Sequence, residues 1–153
     1  YSEPNEREVR AFATEFAVFY ARSDSYSILN DLVWCANRMA PELRERFKRT
    51  VRGTAETPGL IKVIEKLQRR TQIDPGALEI QVDKRSYPWK VQVKGVRQIV
   101  GETGSGETFE LALELVRASR EEYLEGLLVW GIRAKGDPID SVLASATAQG
   151  GMP

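Results

Sequence analysis

The chain has 153 residues, 42% hydrophobic and 29% charged, a size at which one core buries roughly 70% of the surface an extended chain would expose. Its 22 basic residues balance 22 acidic ones, so no overall field draws in the polyanionic backbone of DNA or RNA, and no direct nucleic-acid ligand is expected. Histidine is absent, which removes the commonest neutral-pH general base and zinc ligand and excludes the usual metal and triad chemistries; no cofactor is expected.

The chain starts at Tyr1 without a methionine, and its apolar stretches are far shorter than a bilayer-crossing helix of roughly 20 residues. A leader, anchor or tag removed from in front of Tyr1 stays open. Asn5 and Glu8 have the spacing of a capping box, and Val9, Phe12, Ala13, Phe16, Phe19 and Tyr20 then follow one helix face. This stripe reads as a core wall, and truncating Phe16 to alanine is expected to cost about 3–5 kcal/mol.

The polar run Asp24-Ser25-Tyr26-Ser27 breaks that helix and offers caps for a second, with Ile28, Leu29, Leu32, Ala36 and Met39 expected inward. Cys35, the lone cysteine, reads as a small buried hydrophobe without a catalytic role. Pro41 ends the second helix and starts a third, with Leu43, Phe47 and Val51 apolar and Gly53 as its stop. Thr57-Pro58 repeats the cap-and-proline start for a fourth, whose inward stripe is Leu60, Ile61, Ile64 and Leu67. Its last turns are expected to carry Lys66, Arg69 and Arg70. These cations complement the negative end of the helix dipole; together with Lys62 they are also a candidate surface for an acidic partner.

After Asp74-Pro75-Gly76 the period drops to two. Leu78, Ile80 and Val82 mark a first strand and Trp89, Val91 and Val93 a second, whose phase slips at Gly95 because Val96 falls on a solvent position. A glycine at such a slip points to a β-bulge. Phe109, Leu111, Leu113 and Leu115 mark a third strand and Leu127–Arg133 a fourth, with Ser119–Gly126 as the connection.

Gly101 to Thr108 has the spacing of a phosphate loop but Glu107 where the lysine belongs, and it leads into a strand where that motif needs a helix. It reads as a hairpin turn. The acidic residues, such as Glu110 with Glu114, fall on solvent faces, and no carboxylate interrupts an inward face clearly enough to be a general base. Trp34 and Trp130 lie off the most apolar registers, so Trp130 is a candidate interface residue, with a strand buried on both sides as the alternative.

The expected architecture is α+β, with N-terminal helices over residues 6–70 packed on a curved antiparallel sheet of about four strands over 77–133. Residues 1–137 are read as one domain and 138–153 as a flexible tail. The element order, the Met39-Ala40-Pro41-Glu42-Leu43-Arg44 step, the Lys94-Gly95-Val96-Arg97 run and the closing Gly126-Leu-Leu-Val-Trp-Gly131 run resemble the periplasmic domain of TraE-type, VirB-eight-like inner-membrane proteins. These are assembly factors of type IV secretion and conjugation machines. The resemblance implies a fold similar to nuclear transport factor two, on the periplasmic face of the bacterial inner membrane and held there by a preceding anchor. It also implies a non-enzymatic scaffold that forms homo-oligomers and docks other secretion-channel proteins. The Asn-Pro-x-Gly element of many secretion-system members is not present near the end of the helices or strands, so no contact residues carry over. A small-molecule binder or isomerase-like enzyme of the same cone-shaped fold is the rival reading.

Overall fold

The computed structural model describes residues 3–56, 58–101 and 106–135. Among these, α1 (Glu6–Ala21), α2 (Ile28–Ala36), α3 (Pro41–Arg52) and α4 (Leu60–Leu67) precede β1 (Thr71–Gln72), β2 (Glu79–Asp83), β3 (Trp89–Ile99), β4 (Gly106–Arg117) and β5 (Leu127–Lys135). The sheet is antiparallel throughout. Its order is β1–β3–β4–β5, with β2 beside β1 on the same edge of β3. The α+β plan is therefore as read from the sequence; the two-residue β1 is the additional strand.

Helix α1 begins on the expected capping box, where the Glu8 N–H donates to Asn5 Oδ1 at 2.8 Å and the Asn5 N–H to Glu8 Oε1 at 3.2 Å. Its face of Val9, Phe12, Ala13, Phe16 and Tyr20 is buried against the inner sides of β3 and β4, with Leu111, Leu113, Val91 and Val93. Arg10 also donates to the carbonyl of Ile80 at 2.8 Å, which ties α1 to β2.

Several helical expectations are corrected. In α2 the buried stripe is Ile28, Asp31, Leu32, Cys35 and Ala36, whereas Leu29, one position off that stripe, is 56% exposed. The helix stops at Ala36, and Met39 is buried in the segment that follows, bridged in parallel to Val129. Helix α4 starts later than expected, at Leu60 with Gly59 as its cap; Thr57 lies outside the described residues. Gly59 lies so close to α3 that a Cβ there would sit 2.3 Å from the Val51 carbonyl oxygen. Gln68 turns left-handed at φ 49° and closes α4, so Leu67 is exposed and Arg69 and Arg70 fall beyond the helix. Only Lys66 of the three cations is in the last turn.

The bulge is also relocated. β3 pairs with β4 without interruption through Gly95, as Lys94 opposite Glu110, Gly95 opposite Phe109, Val96 opposite Thr108 and Arg97 opposite Glu107. Its inward face simply continues as Gly95 and Arg97, the latter fully buried, while Val96 faces solvent. The register shift lies instead in β5: Leu115 pairs with Val129 and Glu114 with Gly131, leaving Trp130 as the extra residue. The connection Ser119–Gly126 forms turns, as expected, and β5 runs on to Lys135. The tail expected at 138–153 lies outside the described residues.

Candidate functional site

The charged side chains withdrawn from water gather where the turn between α1 and α2 meets β1 and the end of β3. Arg97 donates from Nε to Glu107 Oε1 at 2.9 Å and from Nη1 to the carbonyl of Ala21. Arg69 forks onto the same carboxylate, Nη2 to Oε1 at 2.9 Å and Nη1 to Oε2 at 3.2 Å. Asp24 accepts from the Thr71 N–H at 2.9 Å, Arg70 Nε at 2.8 Å and Ser27 Oγ at 3.2 Å. Asp31 accepts from Arg22 at 2.6 Å, and its Oδ2 lies 2.8 Å from Ser27 Oγ, whose single hydroxyl hydrogen is shared between Asp31 and Asp24. Thr71 Oγ1 donates to the carbonyl of Arg22, and the Arg69 N–H donates to Ser25 Oγ at 2.9 Å.

Burial pushes the Asp24 carboxyl up, but the Thr71 N–H, Arg70 and Ser27 together outweigh it and hold the group below its ordinary value. Burial opposes ionisation of Glu107 in the same way, and the hydrogen bonds from Arg69 and Arg97 again prevail. Arg22 is raised by its hydrogen bond to Asp31, against burial. Carboxylates bonded to several donors act as clamps, and this corner joins the helices to the sheet. Among the described residues no cluster of His, Cys, Asp or Glu is suited to a metal ion, and no helix is long and apolar enough to cross a membrane.

The residues singled out from sequence as a partner surface separate into three settings. Lys62 and Lys66 are exposed on α4. Arg69 is half-buried and committed to Glu107, while Arg70 is exposed, bonded to Asp24 and stacked over the Tyr26 ring at 4.4 Å. Trp130 is 52% exposed at the β5 bulge, in a groove it shares with Leu43 and Arg46 of α3. Trp34 is half-buried under Arg38, whose guanidinium carbon is 3.6 Å from the ring centroid. The sequence reading missed Arg97, Glu107, Asp24 and Asp31. The phase slip at Gly95 was the trace of Arg97, since an inward arginine in an apolar alternation looks like a change of face.

On the outer face the register produces rows of alternating charge. Glu79, Lys94, Glu110 and Lys135 stand in line across β2, β3, β4 and β5; Asp83, Lys90 and Glu114 form a second row. A shallow groove of about 800 Å³ crosses this face and includes Leu43, Arg46, Trp130, Ile132 and Arg133. The inner face is filled by Trp89, Val91, Val93, Leu111, Leu113 and Leu115, each nearly inaccessible to solvent.

No protein-family model matches the sequence, and no curated protein does. Solved structures match in fold. The VirB8 protein of Agrobacterium tumefaciens aligns over 90% of this chain and 96% of its own, with a TM-score of 0.62 at 14% identity. The soluble domain of the type IV secretion protein TrwG from Bartonella grahamii covers 88% of this chain and 97% of its own, with a TM-score of 0.63 at 12% identity. An IcmL-like type IV secretion protein from Legionella pneumophila covers 88% and 94%, with a TM-score of 0.64 at 11% identity. The resemblance drawn from the sequence is thus present in the fold, along nearly the whole of these chains.

Proposed function

We propose that the chain is a non-enzymatic assembly domain of a type IV secretion or conjugative DNA-transfer apparatus, on the periplasmic face of the inner membrane. It acts by associating with copies of itself and by docking other channel subunits. The observation that carries this reading is the shared fold over nearly nine-tenths of the chain with proteins whose names place them in such machines. Two features of the molecule support docking over turnover. The space between helices and sheet, where an isomerase-like relative would hold its substrate, is occupied by core side chains. The buried charges Asp24, Asp31 and Arg97 are all engaged in ion pairs.

Two surfaces are suited to contact. On α2, Leu29 and Val33 lie one turn apart and are 56% and 51% exposed. On β5, Trp130 is 52% exposed at the bulge. The test is crosslinking in the native envelope, with photoreactive residues at positions 33 and 130. Crosslinks to this chain and to co-encoded channel subunits are expected. A protein that crosslinks to none of them, and whose deletion leaves DNA or protein transfer intact, would overturn the assignment.

A further inference from the structure

We propose that the exposed edge of β5 over residues 131–135 accepts an extended segment from another protein as an added strand, with acidic and apolar side chains alternating. This deepens the docking reading by naming the chemistry of one partner.

The edge itself is the first observation. The upstream part of β5 is already covered: the Val129 N–H donates to the carbonyl of Arg38 and its carbonyl accepts from the Ala40 N–H, both at 2.8 Å. Pro41 then turns the chain into α3, and among the described residues no strand lies beside 131–135. Backbone donors and acceptors on such an edge are a template for one more strand.

Charge complementarity selects the occupant. On the outer face the sign alternates strand by strand: acidic on β2, basic on β3 with Lys90 and Lys94, acidic on β4 with Glu110 and Glu114, basic on β5 with Arg133 and Lys135. The next position in that series is acidic. Arg46, in the same groove, adds a further cation. On the inner face Ile132 and Ala134, opposite Leu113 and Leu111, are only partly buried against the core, so the intervening side chains of an added strand are apolar.

A second copy fits poorly, because two β5 edges would set Arg133 and Lys135 against their own counterparts. The chain beyond Lys135 has its carboxylates at Asp137 and Asp140, a spacing of three that a strand sends to opposite faces.

The experiment is a titration of the full isotope-labelled chain, followed by amide shifts and hydrogen exchange, with acetyl-Glu-Val-Glu-Val-Glu-amide and its lysine counterpart. Binding of the glutamate peptide is expected to slow exchange within 131–135 and to exceed that of the lysine peptide by about tenfold at low salt, from two or three cross-strand charge pairs. The preference inverts in the R133E/K135E variant, and N-methylation of alternate peptide residues abolishes binding. Equal binding of both peptides, or shifts mapping elsewhere, overturns the proposal. Protection, without peptide, of those 131–135 amides that point away from β4 also overturns it: at all concentrations it names the chain's own C-terminal residues as occupant, and with rising concentration a second copy. If the peptide fails while envelope crosslinks to channel subunits persist, the edge proposal falls and the assembly role stands.

Discussion

Phe109 occupies the space that a side chain on Gly95 would need. The two residues face each other across β3 and β4, and a Cβ at position 95 would lie 2.8 Å from the Phe109 Cζ atom and 2.4 Å from Leu78 Cδ2. Glycine is therefore a packing requirement here and not a conformational one. Gly95→Ala is expected to lower stability by about 1–3 kcal/mol through overpacking, measured by urea unfolding. Phe109→Leu in the same chain is expected to return part of that loss. Additive losses in the double variant would show that the ring is not what excludes the methyl group.

This pair also explains which parts of the fold could be read from the sequence. Phe109, Leu111, Leu113 and Leu115 alternate strictly because the inner face of β4 is wholly apolar, and the stripe of α1 repeats cleanly because it is a core wall. Both signals are local. The inward face of β3 carries Gly95 and Arg97, whose suitability depends on Phe109, Glu107 and the Ala21 carbonyl, all distant in sequence. Sequence periodicity alone registers such a pair as a slip. The ends of α2 and α4 were misplaced for a related reason: α2 gives way to a segment bonded to Val129, and α4 stops at a left-handed Gln68, neither of which has a strong sequence mark. Lys62, Lys66, Arg69 and Arg70 read as one patch in the sequence because the partners of Arg69 and Arg70, Glu107 and Asp24, lie far away along the chain.

Glu107 neutralises an arginine that has no access to water. Removing Glu107 takes a carboxylate away from both Arg97 and Arg69, so Glu107→Ala is expected to cost about 3 kcal/mol, the low end for such losses because Glu107 is itself partly exposed. Replacing both charges, as Arg97→Met with Glu107→Leu, is expected to cost less than Glu107→Ala alone. Chemical denaturation of the three variants gives the comparison.

The same contacts set the acid limb of stability. Asp24 and Glu107 are held below the 3.8 and 4.5 of the free groups, so the unfolded chain binds more protons than the native one in that range. Their contribution is complete above about pH 5 and is lost as the pH falls through those values toward the native ones. The midpoint of thermal unfolding is expected to decline on acidification over this interval, and less steeply in Glu107→Gln. An unchanged acid limb in that variant would mean that Glu107 is not among the groups whose protonation unfolds the chain.

Ser23 is a place where the sequence is expected to be improvable. It is fully buried at φ 52°, a left-handed conformation that disfavours a Cβ, and its Oγ has no hydrogen-bond partner. Glycine relieves both penalties at the expense of a more flexible unfolded chain. Ser23→Gly is expected to stabilise by about 1 kcal/mol, which for a chain of this size raises the melting temperature by about 2–4 °C. Ser23→Ala, which removes the hydroxyl but keeps the strain, is expected to gain less. A fall in both variants would show that the hydroxyl makes a contact essential to the corner.

Trp130 separates contact from stability. A half-exposed aromatic at a bulge adds little to the fold, so Trp130→Ala is expected to change unfolding free energy by less than about 0.5 kcal/mol. An exposed tryptophan that anchors a partner carries about 2 kcal/mol or more of binding energy, so the same variant is expected to lose crosslinks on the sheet side. Lys62→Glu with Lys66→Glu, on exposed helix positions, is expected to leave those crosslinks in place and to weaken contacts on the helix side. The two variants thus act on different elements of one folded scaffold, β5 and α4. Loss of both sets of crosslinks in either variant would mean that the two sides form one continuous interface.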